Sequence, residues 1–92
     1  MSIENKALLD SVGYAEHGEK SELGQLRGVG PFIEKKLNNL GIYTIKQVSR
    51  LNKKDIERVT KLLKYFPGRI ERDKWVLQAK ELLRVSEKKL KI

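Results

Sequence analysis

The chain contains no cysteine and a single histidine, His17. The missing cysteines exclude disulfide bonds and thiolate zinc sites, and one imidazole is too few for most histidine-based metal or acid–base sites. No apolar run is longer than three residues, so we expect no membrane-spanning helix and no membrane partner. The first residues also lack the basic and then apolar layout of a secretory signal, and we therefore expect a cytoplasmic protein.

The charged residues are the most informative part of the composition. Twenty Lys and Arg residues against twelve Asp and Glu give the 92-residue chain a net charge of +8. Residues 1–22 carry two basic and five acidic residues, a net −3, whereas residues 23–92 carry 18 basic and 7 acidic residues, a net +11. Such an excess favours a polyanionic partner, most commonly nucleic acid. A lysine-rich surface that only maintains solubility would have the same composition.

Apolar spacing and helix-capping residues predict an all-α fold, a compact bundle of about five short helices. Pro31 is suited to the first position of a helix and Gly41 to its end, with apolar residues between them at helical spacing. Thr44 and Asn52 are candidate caps for the two helices that follow. The last helix is predicted from about Arg72 to Val85, and no stretch alternates with the period of a strand.

Three segments are predicted along the chain. Residues 1–20 are acidic and include a glycine-containing stretch without periodicity, so we expect a flexible acidic leader. Residues 21–86 are predicted to form the helical domain, and residues 87–92 a basic tail that frays. His17 falls in the leader without a second candidate ligand. We therefore expect no metal site, no catalytic residue and no cofactor.

The segment 23–42 carries the motif that predicts a binding site. Gly28 and Gly30 permit a tight hairpin between two short helices, and Val29 between them can anchor it in the core. Pro31 then begins a helix whose free backbone N–H groups and positive dipole end face the hairpin, which suits a phosphate. The two glycines would serve equally as a simple turn if no ligand is bound. The predicted nucleic-acid-binding residues are Arg27, Gly28, Val29, Gly30, Lys35 and Lys36.

This segment resembles a helix-hairpin-helix motif, and residues 22–84 are similar to a bacterial family described as flap-endonuclease-like helix-hairpin-helix domains. The similarity rests on short stretches in matching order, residues 28–31, 34–37, 40–44, and 68–76 with 78–80. Members occur alone or fused to other proteins, including a respiratory NADH dehydrogenase subunit and a ribosomal protein. The resemblance implies one helix-hairpin-helix motif, a degenerate second hairpin around residues 66–69, and DNA binding by analogy of fold.

Two positions depart from the pattern of DNA-binding hairpins of this type. Many of them carry a lysine directly after Gly-x-Gly-Pro, where this chain has Phe32. Arg27 stands where a proline is common before the first glycine, and it adds a charge beside the hairpin.

These features together predict a non-catalytic module that binds DNA through its phosphate backbone, with little sequence specificity. The alternative is a protein-interaction or assembly module, which Phe32 and the non-nuclease hosts of the resembling family both favour. A nuclease ranks last, because metal-dependent cleavage needs several convergent carboxylates. Five of the twelve carboxylates lie in residues 1–22, and the others are interleaved with Lys and Arg.

Overall fold

The computed structural model of the chain describes residues 2–64 and 68–90, with side chains described as far as Ser86. Within these residues all regular structure is helical, which confirms the predicted all-α class. No helix in this part of the chain is both long enough and apolar enough to cross a membrane. The described residues form six α-helices, which are α1 (Ile3–Val12), α2 (Pro31–Asn39), α3 (Ile45–Ser49), α4 (Lys53–Leu63), α5 (Arg69–Arg72) and α6 (Trp75–Leu90). Two 3-10 turns span His17–Glu19 and Leu23–Gln25.

Local sequence accounts for the starts of α2, α3 and α4. Pro31 occupies the first helical position of α2, as predicted. At α3 the Gln47 N–H donates to Thr44 Oγ1 at 3.0 Å, and the Thr44 N–H donates back to Gln47 Oε1 at 3.1 Å. Asn52 and Asp55 form the same reciprocal pair at α4, over 2.8 and 3.1 Å. These bonds satisfy N–H groups that the first turn of a helix leaves free.

The core forms where the apolar faces of the helices meet. Trp75, the first residue of α6, is fully buried, and α6 packs along α3. Trp75 is therefore a core residue, as its place on the inward stripe of the last helix predicts. Other apolar side chains with no solvent exposure are Leu8, Leu23, Ile42, Val48, Val59 and Ala79.

The first helix corrects part of the prediction for residues 1–20. Instead of a flexible leader, Ile3–Val12 form α1, which packs against α4. The Asn5 side chain donates to the Leu40 carbonyl at 2.8 Å, and the Gln47 side chain donates to the Gly13 carbonyl at 2.8 Å. The helix is held because its apolar residues complete the core. The buried residues of α1 are Leu8, Leu9 and Val12.

The end of the chain also differs from the prediction. The last helix begins at Trp75 and not at about Arg72, because a turn at Asp73 and Lys74, where Lys74 has a left-handed φ of 54°, separates it from the short helix α5. α6 then continues to Leu90, through most of the segment 87–92 that was predicted to fray. Residues 86–90 contain no glycine or proline that would end a helix. The second hairpin predicted around residues 66–69 lies partly outside the described residues.

Candidate functional site

The predicted hairpin is formed by residues 27–30, directly before α2. Gly28 has a φ of 95°, in the region that favours glycine, whereas Gly30 has an ordinary φ of −91°. A Cβ atom at Gly28 would lie 2.3 Å from Asp73 Oδ2 and 3.1 Å from Trp75 Nε1. The missing side chain at Gly28 therefore lets the turn between α5 and α6 pack directly on the hairpin.

Several backbone groups of the hairpin are already bonded within the protein. The Arg27 N–H donates to Gln78 Oε1 at 2.8 Å, and the Gln78 amide donates back to the Arg27 carbonyl at 3.2 Å. The same amide donates to the Asp73 carbonyl at 2.6 Å. The Val29 N–H donates to the Leu26 carbonyl at 3.1 Å, and the Val29 side chain is buried as predicted. The amides of Arg27 and Val29 are consequently already bonded and not free to bind a phosphate.

Cationic side chains from two distant parts of the sequence meet beside the hairpin. Arg27, Arg72 and Lys74, which we call the basic cluster, line one shallow cleft together with Asp73. Arg72 and Lys74 reach this position because the turn between α5 and α6 packs on Gly28. Arg27 is among the residues predicted to bind nucleic acid, whereas Arg72 and Lys74 are not. Their only signal was their place in the resembling stretch 68–80, which carried no assigned role.

Asp73 lies among the residues of the basic cluster and fixes the orientation of Arg72. Its carboxylate accepts hydrogen bonds from Arg69 Nε and Arg72 Nε, each at 3.3 Å. Burial alone would raise the pKa of Asp73, but the hydrogen bonds from Arg72 and Arg69 and their positive charges outweigh it. The pKa of this carboxyl is therefore below its usual range. Asp73 stays ionised at neutral pH, and the basic cluster keeps a net positive charge.

The two predicted phosphate-binding lysines of α2 have different surroundings. Lys35 is exposed to solvent. The Lys36 ammonium lies 4.9 Å from the centroid of the Phe32 ring and donates to the Leu63 carbonyl at 3.4 Å, at the end of α4. Lys36 therefore links α2 to α4, which leaves it less available to an external anion than Lys35.

The charged side chains that the structure describes at this site are suited to ionic binding. No group of three or more His, Cys, Asp or Glu side chains among them is placed to hold a metal ion. The His17 ring contacts the Tyr43 ring in an edge-to-face arrangement, with centroids 5.5 Å apart, and neither residue belongs to the hairpin. What the basic cluster offers is a set of charged donors suited to carboxylate or phosphate oxygens.

Residues 23–83 match the family described as the RS2/RL21/YNQ2 HHH domain, where HHH stands for helix-hairpin-helix. The chain belongs to this family. The predicted helix-hairpin-helix domain is thereby confirmed, under a description that differs from the flap-endonuclease-like one expected from the sequence.

The individual relatives are ribosomal proteins. Small ribosomal subunit protein uS2 of Beijerinckia indica is 44% identical over 69 residues, which are 75% of this chain and 20% of that protein. The uS2 protein of Xanthobacter autotrophicus is 45% identical over 65 residues, 71% of this chain and 19% of that protein. Large ribosomal subunit protein bL21 of Roseobacter denitrificans is 43% identical over 61 residues, 66% of this chain and 28% of that protein. The chain thus spans about a fifth of its uS2 relatives, and no solved structure matches it.

These relatives overturn the prediction of a DNA-binding module. They are named as ribosomal proteins of the small and large subunits, so DNA binding as the main function is wrong. The error arose because net charge and hairpin geometry predict a polyanionic partner without identifying it. The choice of DNA came from fold analogy, which is a weak basis for function.

Proposed function

We propose that this chain is a non-catalytic ribosome-associated module that binds ribosomal RNA through the basic cluster. The observation that carries the proposal is the meeting of Arg27, Arg72 and Lys74 beside the hairpin of a domain whose relatives are ribosomal proteins. Ribosomes consist of RNA and protein, and RNA is the component with the opposite charge. A cytoplasmic location and the absence of a cofactor are parts of the same proposal. The proposed similarity to flap-endonuclease-like domains extends to the fold alone and does not include cleavage of nucleic acid.

Binding by the basic cluster would be directed at the RNA backbone. Guanidinium groups bind phosphate oxygens in a bidentate manner, and Asp73 holds Arg72 in a fixed orientation while most of that side chain stays exposed. Contacts of this kind position a protein on RNA without reading the base sequence. Gly28, Val29 and Gly30 shape the surface in this proposal, and Lys35 extends it along α2.

The test compares two variants with equal net charge. Arg27→Glu with Lys74→Glu removes two members of the basic cluster. Lys53→Glu with Lys54→Glu changes two exposed lysines at the start of α4. Each double replacement lowers the net charge from +8 to +4. With labelled fragments of ribosomal RNA, we expect the first variant to lose affinity by about tenfold or more, and its log K against log salt slope to fall by about one per lost contact. We expect the second variant to change affinity less than about threefold, since only long-range charge is altered.

Equal losses in both variants would contradict the basic cluster as the site and leave only a general charge effect. Sedimentation of the tagged chain with purified ribosomal subunits provides a second measurement. If the cluster variant no longer bound RNA fragments but sedimented with subunits as well as the unmodified chain does, a protein contact would replace RNA as the proposed attachment.

A further inference from the structure

An exposed aromatic side chain follows the hairpin by two residues. Phe32 is 69% exposed in the first turn of α2, and it lies outside the buried apolar face that Ile33 and Leu37 form. Packing of the fold therefore does not account for an aromatic residue at this position. Two peptide units separate Phe32 from Gly30, so its Cα lies within about 7 Å of the hairpin.

The Phe32 ring is accompanied by a fixed positive charge. The Lys36 ammonium lies 4.9 Å from the ring centroid, within the range of a cation–π contact. The same ammonium donates to the Leu63 carbonyl, which restrains the lysine against α4. The ring thus presents an apolar surface to solvent while one side of it is associated with a cation.

The other aromatic rings that the structure describes have evident roles within the protein. Trp75 is buried in the core. Tyr43 is half-buried and contacts the ring of His17. The Tyr14 hydroxyl donates to an Asp10 carboxylate oxygen at 2.8 Å. Tyr14 is also 60% exposed, but of these rings Phe32 is the one that combines exposure with a lysine ammonium over its face.

We infer that Phe32 stacks on an unpaired base of the bound RNA, so that the domain prefers single-stranded or looped RNA to duplex. This inference rests on the proposed function. Proteins that bind single strands combine aromatic side chains, on which bases stack, with cations along the backbone. The Phe32 ring, two residues after the hairpin and in contact with Lys36, has that composition together with the exposed Lys35. In a duplex the bases are paired and stacked on one another, so a side chain at the surface gains no such contact.

Charge favours a nucleotide over an apolar protein surface as the occupant of this position. A protein partner that covered Phe32 would also cover the Lys36 ammonium and remove it from water, which is costly without a counter-charge. A nucleotide supplies a base for the ring and a phosphate for the lysines at once. The exposed Lys35, one turn along α2, adds to the same attraction.

The experiment measures the affinity of the full chain for a single-stranded RNA oligonucleotide and for the duplex of the same sequence. We expect Phe32→Ala to lower single-strand affinity roughly 5- to 150-fold and duplex affinity less than about twofold. Phe32→Leu should behave like Phe32→Ala, because an aliphatic side chain cannot stack. Phe32→Trp should bind the single strand as well as the unmodified chain does. RNA should quench the fluorescence of the introduced tryptophan, measured as the difference from the unmodified chain, which contains Trp75. As a control, Ile3→Ala removes an apolar side chain that is 89% exposed on α1 and should change neither affinity.

The outcomes separate this inference from the proposed function. Unchanged single-strand affinity in Phe32→Ala would overturn the inference, and the proposed function would stand if Arg27→Glu with Lys74→Glu still weakened RNA binding. Absence of RNA binding by the unmodified chain would refute both. If Phe32→Ala bound RNA normally but no longer sedimented with ribosomal subunits, the ring would be a protein contact, contrary to the inference.

Discussion

Replacing Gly28 by alanine is expected to destabilise the domain strongly, for two independent reasons. The backbone at Gly28 has a φ of 95°, which residues with a side chain rarely adopt. The new methyl carbon would also lie 2.3 Å from Asp73 Oδ2 and 3.0 Å from Asp73 Cγ. Asp73 has little freedom to move away, because Arg69 and Arg72 both hydrogen-bond to its carboxylate.

The size of the effect follows from these two causes. A left-handed conformation costs a residue with a side chain roughly 1–2 kcal/mol. Forcing an extra carbon into a packed site costs about 1–3 kcal/mol. The expected loss is therefore roughly 2–5 kcal/mol, against a total stability of about 5–14 kcal/mol for a domain of this size. In thermal unfolding this corresponds to a fall in Tm of roughly 10–30 °C.

The assay is thermal and urea unfolding followed by circular dichroism, with Gly30→Ala as the matched control. Gly30 has an ordinary φ, and a Cβ atom there meets nothing within 4 Å. We expect the control to change stability by less than about 1 kcal/mol. Gly28→Ala combined with Asp73→Ala should recover part of the loss, because the closest contact is removed while the backbone cost remains. A Gly28→Ala variant that melts within about 3 °C of the unmodified chain would refute the reasoning.

Two further predictions concern the first helix and the acid response. Leu8→Ala should lower the free energy of unfolding by about 2–5 kcal/mol in the same assay, because Leu8 is fully buried. Ile3→Ala should lower it by less than about 0.5 kcal/mol, because Ile3 is exposed. Equal effects would mean that α1 does not belong to the core. The pKa of Asp73 is lower in the folded chain than its ordinary value of 3.8. The ionised carboxylate therefore stabilises the fold at pH values above 3.8, and this stabilisation is lost as the pH falls through the folded-state pKa. The stability advantage over Asp73→Asn should therefore be constant from about pH 8 to 5 and shrink below about pH 4, and an advantage that persisted undiminished at pH 2 would contradict the assignment.

The helix starts could be predicted from the sequence because a cap is a local interaction. Thr44 and Asn52 each bond a residue three positions later, so the signal and its partner lie in the same short stretch. Pro31 likewise marks the start of α2 without reference to the rest of the chain. The division between α5 and α6 was not predictable in this way. It occurs at Lys74, a residue type that does not mark a left-handed turn.

The packing of α1 and the composition of the basic cluster depend on residues far apart in the sequence. Asn5 reaches Leu40 across 35 positions, and no local pattern indicates that contact. Arg27 and Lys74 are brought together only because Gly28 admits the α5–α6 turn. The glycines predicted the hairpin correctly. That the α5–α6 turn packs against this hairpin is set by tertiary packing, which the local sequence does not indicate.

The two bonds that Gln78 makes to the Arg27 backbone join positions 51 residues apart. The Arg27 backbone therefore keeps these bonds only while α6 is docked, which couples the shape of the hairpin loop to the carboxyl-terminal half of the chain. A peptide limited to residues 21–45 would retain the glycines and the proline but lose the groups that hold the Arg27 backbone. The motif is consequently not a portable unit, and grafting it into another protein would require α6 to be transferred with it. Amide exchange at Arg27 should accordingly report the docking of α6 and not the fraying of a surface loop.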